Sequence, residues 1–161
     1  IGESRSYGLE LESKWAATKG LTFNMNFGYL NTEILTYAPI DFQTGEENDL
    51  SGRNLPLSPE FNGNLNINYI KPLNKKLNLE ASVDYNYKSE FSFNFANDAT
   101  QDAYGLLNSR IGITSKHIDF FLWGKNIADV TYFSYGYGVG NFNAASFGLP
   151  QTYGVTLTAK L

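Results

Sequence analysis

Residues 152–161 read Thr-Tyr-Gly-Val-Thr-Leu-Thr-Ala-Lys-Leu. In an extended chain, Tyr153, Val155, Leu157, Ala159 and Leu161 share one face, and Gly154, Thr156, Thr158 and Lys160 share the other. Strict alternation marks a strand with one apolar and one polar face. The stretch stops on an apolar residue with no polar tail, unlike the solvated ends of most domains.

The same period recurs upstream. Tyr7, Leu9, Leu11 and Trp15 alternate with Gly8, Glu10, Glu12 and Lys14, and Leu21, Phe23, Met25, Phe27 and Tyr29 with Thr22, Asn24, Asn26 and Gly28. A third strand sets Phe61, Leu65, Ile67 and Tyr69 against Asn62, Asn64, Asn66 and Asn68. Asparagine is a poor strand former, so this column points to a face that meets a wet, polar lumen. A fourth strand runs over residues 77–87, and a fifth places Leu107, Ile111 and Ile113 opposite Asn108, Arg110 and Gly112. The sixth, residues 118–127, is ambiguous in facing: Phe120 and Leu122 lie on one side, Phe121 and Trp123 on the other. With 152–161 these make seven strands.

The connections alternate in length. Residues 17–20, 71–76 and 115–117 are short turns, whereas 32–59, 89–102 and 128–150 are long or medium loops. Bacterial outer-membrane barrels have short periplasmic turns and longer extracellular loops. Tyr29, Phe61, Tyr69, Tyr85, Tyr87, Tyr153 and Trp15 stand at strand ends, where interfacial aromatic girdles lie.

Composition narrows the class. The 161 residues contain 16% aromatic and only 17% charged side chains, with no cysteine and a formal charge of -4. There is no disulfide framework and no basic surface for nucleic acid. No run approaches the 18 apolar residues of a transmembrane helix. The expected fold is therefore all-β, an antiparallel up-and-down transmembrane barrel wall of about seven strands. The competing reading is a soluble barrel or sandwich, in which the apolar faces point inward.

Five stretches resemble the C-terminal part of TonB-dependent outer-membrane receptors, in that family's order. Residues 6–12, Ser-Tyr-Gly-Leu-Glu-Leu-Glu, resemble its G-x-E-x-E strand, and residues 51–59, Ser-Gly-Arg-Asn-Leu-Pro-Leu-Ser-Pro, its G-x-x-L-P-x-x-P entry to a downward strand. Residues 104–112 resemble Y-x-x-x-N-x-R-x-G, and residues 123–132 resemble V-x-N-L-x-D-x-x-Y. Residues 148–155 resemble the closing G-x-P-R-x-Y-G-V, with Gln151 in place of the usual arginine and Leu161 in place of the usual final phenylalanine. The resemblance implies residues 1–161 as the last seven strands of a 22-stranded barrel with a plugged lumen, without the plug domain and TonB box. It implies TonB-dependent uptake across the bacterial outer membrane of a scarce nutrient, such as a ferric siderophore. The other function considered is a passive porin or adhesin-like barrel. Expected partners are outer-membrane lipid, the rest of the barrel and plug, TonB through the missing N-terminal part, and a small-molecule ligand; no nucleic acid is expected.

Catalytic chemistry is not expected. The single histidine, His117, falls in a short turn, and no Ser-His-Asp or Cys-His set assembles. Neither a metal centre nor a cofactor is expected. Asp41, Glu46, Glu47 and Asp49 make the first long loop acidic, which reads as a solvated loop in preference to a calcium site. The ligand-binding candidates are Tyr132, Phe133, Tyr135, Tyr137, Phe142 and Phe147, interleaved with Gly136, Gly138 and Gly140 in the last loop. Tyrosine supplies rigid amphipathic contact area and glycine lets a loop adapt. Arg53 and the lumen residue Arg110 are candidates for attracting an anionic chelate. Glu80 and Asp84 are the lumen carboxylates expected to meet basic plug residues or water.

Overall fold

Period-two segments pair with one another because an extended backbone leaves half its hydrogen-bonding groups for a neighbour. The computed structural model of the chain describes residues 2–41, 44–139 and 142–160. Its main sheet has seven antiparallel strands: β1 (Glu3–Ala16), β2 (Leu21–Thr36), β3 (Phe61–Pro72), β4 (Leu77–Lys88), β7 (Tyr104–Ser115), β8 (Ile118–Lys125) and β11 (Thr152–Ala159). They follow one another in chain order, each joined to the next by an up-and-down connection. Two short hairpins rise from the loops: β5 (Phe91–Ser92) with β6 (Thr100–Gln101), and β9 (Phe133–Val139) with β10 (Phe142–Phe147).

The register puts like against like. Along one row Trp15, Phe23, Ile67, Val83, Ser109, Gly124 and Tyr153 are successive partners across all seven strands. On the opposite face a second row runs Lys14, Asn24, Asn66, Asp84 and Asn108. The first row joins the turn end of β1 to the loop end of β11. That climb is the stagger that strands need when they tilt to close a barrel.

The apolar face has no charged residue from Tyr7 to Trp15, Leu21 to Tyr29, Phe61 to Tyr69, Leu79 to Tyr87, Gly105 to Ile113, Ile118 to Gly124 or Tyr153 to Ala159. Charge returns just outside those limits. Arg5 pairs with Glu33 at 2.6 Å beyond Tyr7, and Lys71 follows Tyr69. Leu9, Leu11, Leu122, Val155 and Leu157 are all exposed, Leu157 at 71%. Among the described residues the buried hydrophobic side chains are Ile34, Leu50 and Phe121, none of them from the apolar face. An apolar face that covers no core, bounded by aromatics and then charge, suits hydrocarbon and rules out the soluble sandwich.

The sixth strand's ambiguity is resolved by its partners. Phe120 and Leu122 stand opposite Ile113 and Ile111 on the apolar face. Phe121 and Trp123 stand opposite Gly112 and Gly154 on the polar face. A Cβ at either glycine would strike the facing ring, so the glycines make room for two large aromatics on the wet side.

Some boundaries differ from expectation. β2 continues to Thr36, past the expected loop start at residue 32. The amide of Ile34 donates to the Arg53 carbonyl at 2.8 Å, and the Gly52 amide to the Ile34 carbonyl at 2.8 Å. The loop thus folds back as a partner for the overhanging strand. β8 stops at Lys125 because Asn126 is left-handed, with φ of 48°. Leu161 lies outside the described residues.

A charge placed on the apolar face should be costly. In the whole barrel reconstituted in phospholipid vesicles, Leu65→Arg is expected to lower urea-unfolding stability by about 2–4 kcal/mol. Asn26→Arg, on the polar face opposite Glu12, is expected to change it by less than about 1 kcal/mol. Equal losses at the two positions would contradict the assignment of faces.

Candidate functional site

The long connections all leave the same end of the sheet: residues 37–60 (L1), 89–103 (L2) and 126–151 (L3). They form one interlocked crown. L1 grips L2 through Arg53, whose Nη1 donates to the Ala96 carbonyl, and through a reciprocal pair between Asn54 and Asn97 at 3.0 and 3.2 Å. The Leu57 amide donates to the Ser92 carbonyl at 2.7 Å, and Tyr37 meets Phe95 edge to face at 5.4 Å. L2 grips L3 through Gln101, a buried side chain whose Oε1 accepts from the Phe133 amide at 2.6 Å.

The base of L3 is a corner built on Asn126. This residue is 3% exposed. Its Nδ2 donates to the carbonyls of Val130 and Leu149 at 2.9 and 3.1 Å, and its Oδ1 accepts from the Val130 amide at 2.9 Å. Asp129 is also left-handed, with φ of 53°, a conformation that Asn and Asp tolerate better than other side chains. Gln151 closes the corner, with Nε2 donating to the Ile127 carbonyl at 2.6 Å.

The aromatic candidates of L3 fall into two groups. Tyr132 stacks on Tyr104, ring centroids 4.7 Å apart, and lies against Gly148. Phe133 packs on Phe147 at 5.1 Å. Tyr135 contacts Tyr137 at 6.0 Å and Phe93 of L2 at 6.5 Å. Tyr135, Tyr137 and Phe147 keep 55%, 47% and 68% of their surface exposed. Phe142 lends its backbone to β10, opposite Val139; its side chain lies outside the described residues. β9 and β10 with Phe93, Ala99 and Thr100 enclose a concavity of about 310 Å³. The glycines of this loop serve a hairpin: Gly136 is buried against the Phe93 ring. The alternation of Phe133, Tyr135 and Tyr137 with Ser134 and Gly136 was the available signal for it.

The polar face carries a ladder of amides. Asn24 Nδ2 donates to Asn66 Oδ1 at 3.1 Å. Asp84 accepts from Asn64 at 2.8 Å, from Asn108 at 3.3 Å and from Asn86. Glu80 accepts from the Thr114 hydroxyl at 2.8 Å. Arg110 stands over the Phe121 ring at 4.5 Å. Sequence reasoning passed over Gln101, Asn97, Phe93 and the pair Trp123 and Lys125.

The acidic side chains of L1 do not converge, and among the described residues no three His, Cys, Asp or Glu form a metal-binding group. The Ser51 side chain and amide both hydrogen-bond Asp49, holding its carboxyl below the usual value. His117 is exposed in its turn, its carbonyl accepting from the Lys160 amide at 2.8 Å.

Known proteins share this architecture. Residues 1–127 match the family described as "TonB dependent receptor-like, beta-barrel". The pesticin receptor of Yersinia pestis is 22% identical over 155 residues, 96% of this chain and 22% of that protein. The ferric yersiniabactin uptake receptor FyuA of Yersinia pestis superposes with a TM-score of 0.81 at 21% identity, over 96% of this chain and 23% of its own. The siderophore receptor PiuA of Acinetobacter baumannii gives 0.77 at 22% identity, over 98% and 22%. The chain therefore spans less than a quarter of the length of the proteins it matches. With its lipid-facing apolar surface and looped crown, it belongs to the TonB-dependent receptor-like β-barrel family of the bacterial outer membrane.

Proposed function

We propose that this chain supplies wall and extracellular loops to an outer-membrane importer that takes up a ferric chelate with energy from TonB. The observation that carries the reading is the match to the receptor barrel over residues 1–127, in company with relatives named as siderophore and ferric-chelate receptors. The barrel's remaining strands, to 22 in all, the plug and the TonB box belong to parts of the protein outside this chain. They pair with the edges of β1 and β11 and fill the lumen.

In this reading the crown captures the chelate. Tyr135, Tyr137 and Phe147 present aromatic surface to the outside, and the concavity between L2 and L3 receives an apolar part of the ligand. The polar face then lines the route inward. Its carboxylates already accept amide or hydroxyl protons, so it offers the passing ligand a hydrogen-bonding surface.

The deciding test is uptake of radioactive iron by cells that express the whole receptor, supplied with a panel of ferric siderophores. Uptake of at least one chelate that stops when TonB is deleted is expected; uptake that persists would indicate a passive barrel. Replacing Tyr135 and Tyr137 together by alanine is expected to weaken chelate binding by about tenfold or more, the size of two lost aromatic contacts, with surface expression unchanged. Arg53→Ala should loosen the crown. Hydrogen exchange in L2 is expected to rise by about ten- to a hundredfold, the equivalent of one lost hydrogen bond from a charged group, while exchange in β3 and β4 stays the same.

A further inference from the structure

We propose that the short-turn end of the wall docks anionic phospholipid headgroups of the periplasmic leaflet, through Lys71, Lys75, Lys76 and Lys116. The proposal concerns the lipid around the barrel and does not rest on the import reading. The two ends of the sheet carry opposite charge. Residues 17–20, 71–76 and 115–117, at the turn end, hold five lysines, the single histidine and no Asp or Glu. L1, L2 and L3, at the other end, hold nine Asp and Glu and one arginine. A chain of net charge -4 thus keeps a cationic rim on one side.

These cations stand beside lipid. Lys71 is the partner of Leu79 and shares the apolar face with Tyr69. Leu77, Ile113 and Ile118 lie on the same face at the same end of the sheet, and Ile118 is 54% exposed. The turns add four residues between β3 and β4 and two between β7 and β8, too few to carry the lysines far from the apolar band. Lys75, Lys76, Lys116 and His117, with Asn74 and Ser115, border a concavity of about 650 Å³ between the two turns. Positive groups directly below an uncharged apolar band meet both parts of an anionic phospholipid, headgroup and chains. Peptidoglycan also carries carboxylates, but it forms a separate layer beyond lysines held at headgroup depth.

The charges have no partner in the wall. The ion pairs of the described residues are Arg5–Glu33 and Lys160–Asp119, and none involves these four lysines. The nearby carboxylates belong to the inner face: Glu80 accepts from Thr114 at 2.8 Å, and Asp119 holds Lys160 at 2.7 Å. Other groups close the turns. Asn74 Oδ1 accepts from the Lys76 and Leu77 amides, and the Ser115 hydroxyl donates to the Ile118 carbonyl at 2.6 Å. The β3–β4 hairpin stands between β2 and β7, and the β7–β8 hairpin between β4 and β11. Strands elsewhere in the barrel therefore do not reach these turns. A plug fills the lumen, and Lys71 is on the opposite face.

The test uses the whole receptor in neutral detergent, with bound lipid counted by native mass spectrometry. Phosphatidylglycerol is expected to bind about tenfold or more tighter than phosphatidylethanolamine, because each cation near an anionic surface is worth about fivefold. Replacing Lys71, Lys75, Lys76 and Lys116 together by glutamine is expected to abolish that preference, and replacing them by arginine to keep it. Lys88→Gln, at the loop end, is expected to leave it unchanged. Heat-modifiable mobility checks that each variant folds. Lys71→Gln alone is expected to lower the preference by about fivefold, so the outcome is decided even if the quadruple variant does not assemble. The proposal is overturned if the parent binds the two lipids equally, or if the glutamine variants keep the parent's preference. Displacement of phosphatidylglycerol by glycerol 3-phosphate would mark a site for soluble phosphate and overturn it too. So would a parent without lipid preference that is retained by purified peptidoglycan, since the rim then meets the carboxylates of that layer.

Discussion

Everything in this structure depends on satisfying backbone hydrogen bonds where no water is present. In hydrocarbon an unpaired N–H or C=O costs several kcal/mol, so a strand is stable there only between two neighbours. Five of the seven main strands have both. β1 and β11 are the edges, and β1 is exposed at all fourteen positions. The sheet is thus a sector of wall whose edges need partner strands in lipid. The same constraint explains why the connections differ between the two ends. At the turn end they are tight, closed by local side chains such as Asn74, whose Oδ1 accepts from the Lys76 and Leu77 amides at 2.9 and 3.1 Å. At the loop end, outside the membrane, the chain is free to build.

The two faces solve different problems with one period. The outer face is apolar and uncharged because lipid is its solvent. The inner face must stay wet without swelling the wall, and asparagine suits this: its amide both donates and accepts, so neighbouring strands link laterally. Asp84 anchors the ladder by taking several of those donors. Glycine has a separate use on this face, opposite Phe121 and Trp123, where the sheet takes in bulk it otherwise excludes.

Much of the wall was legible because lipid enforces alternation strictly; the order of the strands and the length pattern of the loops followed from it. What escaped has physical causes. The facing of residues 118–125 was hidden because both sides carry aromatics, and only the partners Gly112 and Gly154 separate them. The end of β2 was misplaced because Ile34 is extended by pairing with a distant loop, a contact no local period records. The β9–β10 hairpin was read as an adaptable loop because its glycines drew attention from the alternation around them. Arg53 was read as a candidate for attracting an anionic chelate; that its Nη1 also donates to the Ala96 carbonyl was hidden, because this contact is set by how two loops meet.

Of the five stretches that resemble the family, residues 6–12 and 104–112 lie within β1 and β7, and the other three turn out to be corners and staples. Asn126 and Asp129 turn β8 into L3; Gln151 latches the return; Gly52, with φ of 78°, and Arg53 bring L1 back onto β2. These residues are tied up in holding backbone, with their polar atoms turned to the protein itself. Such positions resist change because a left-handed or buried site admits few side chains. The exposed faces of Tyr135, Tyr137 and Phe147 are under no such constraint. Proteins only 21–22% identical to this chain superpose on it closely, so the fold holds while most side chains differ.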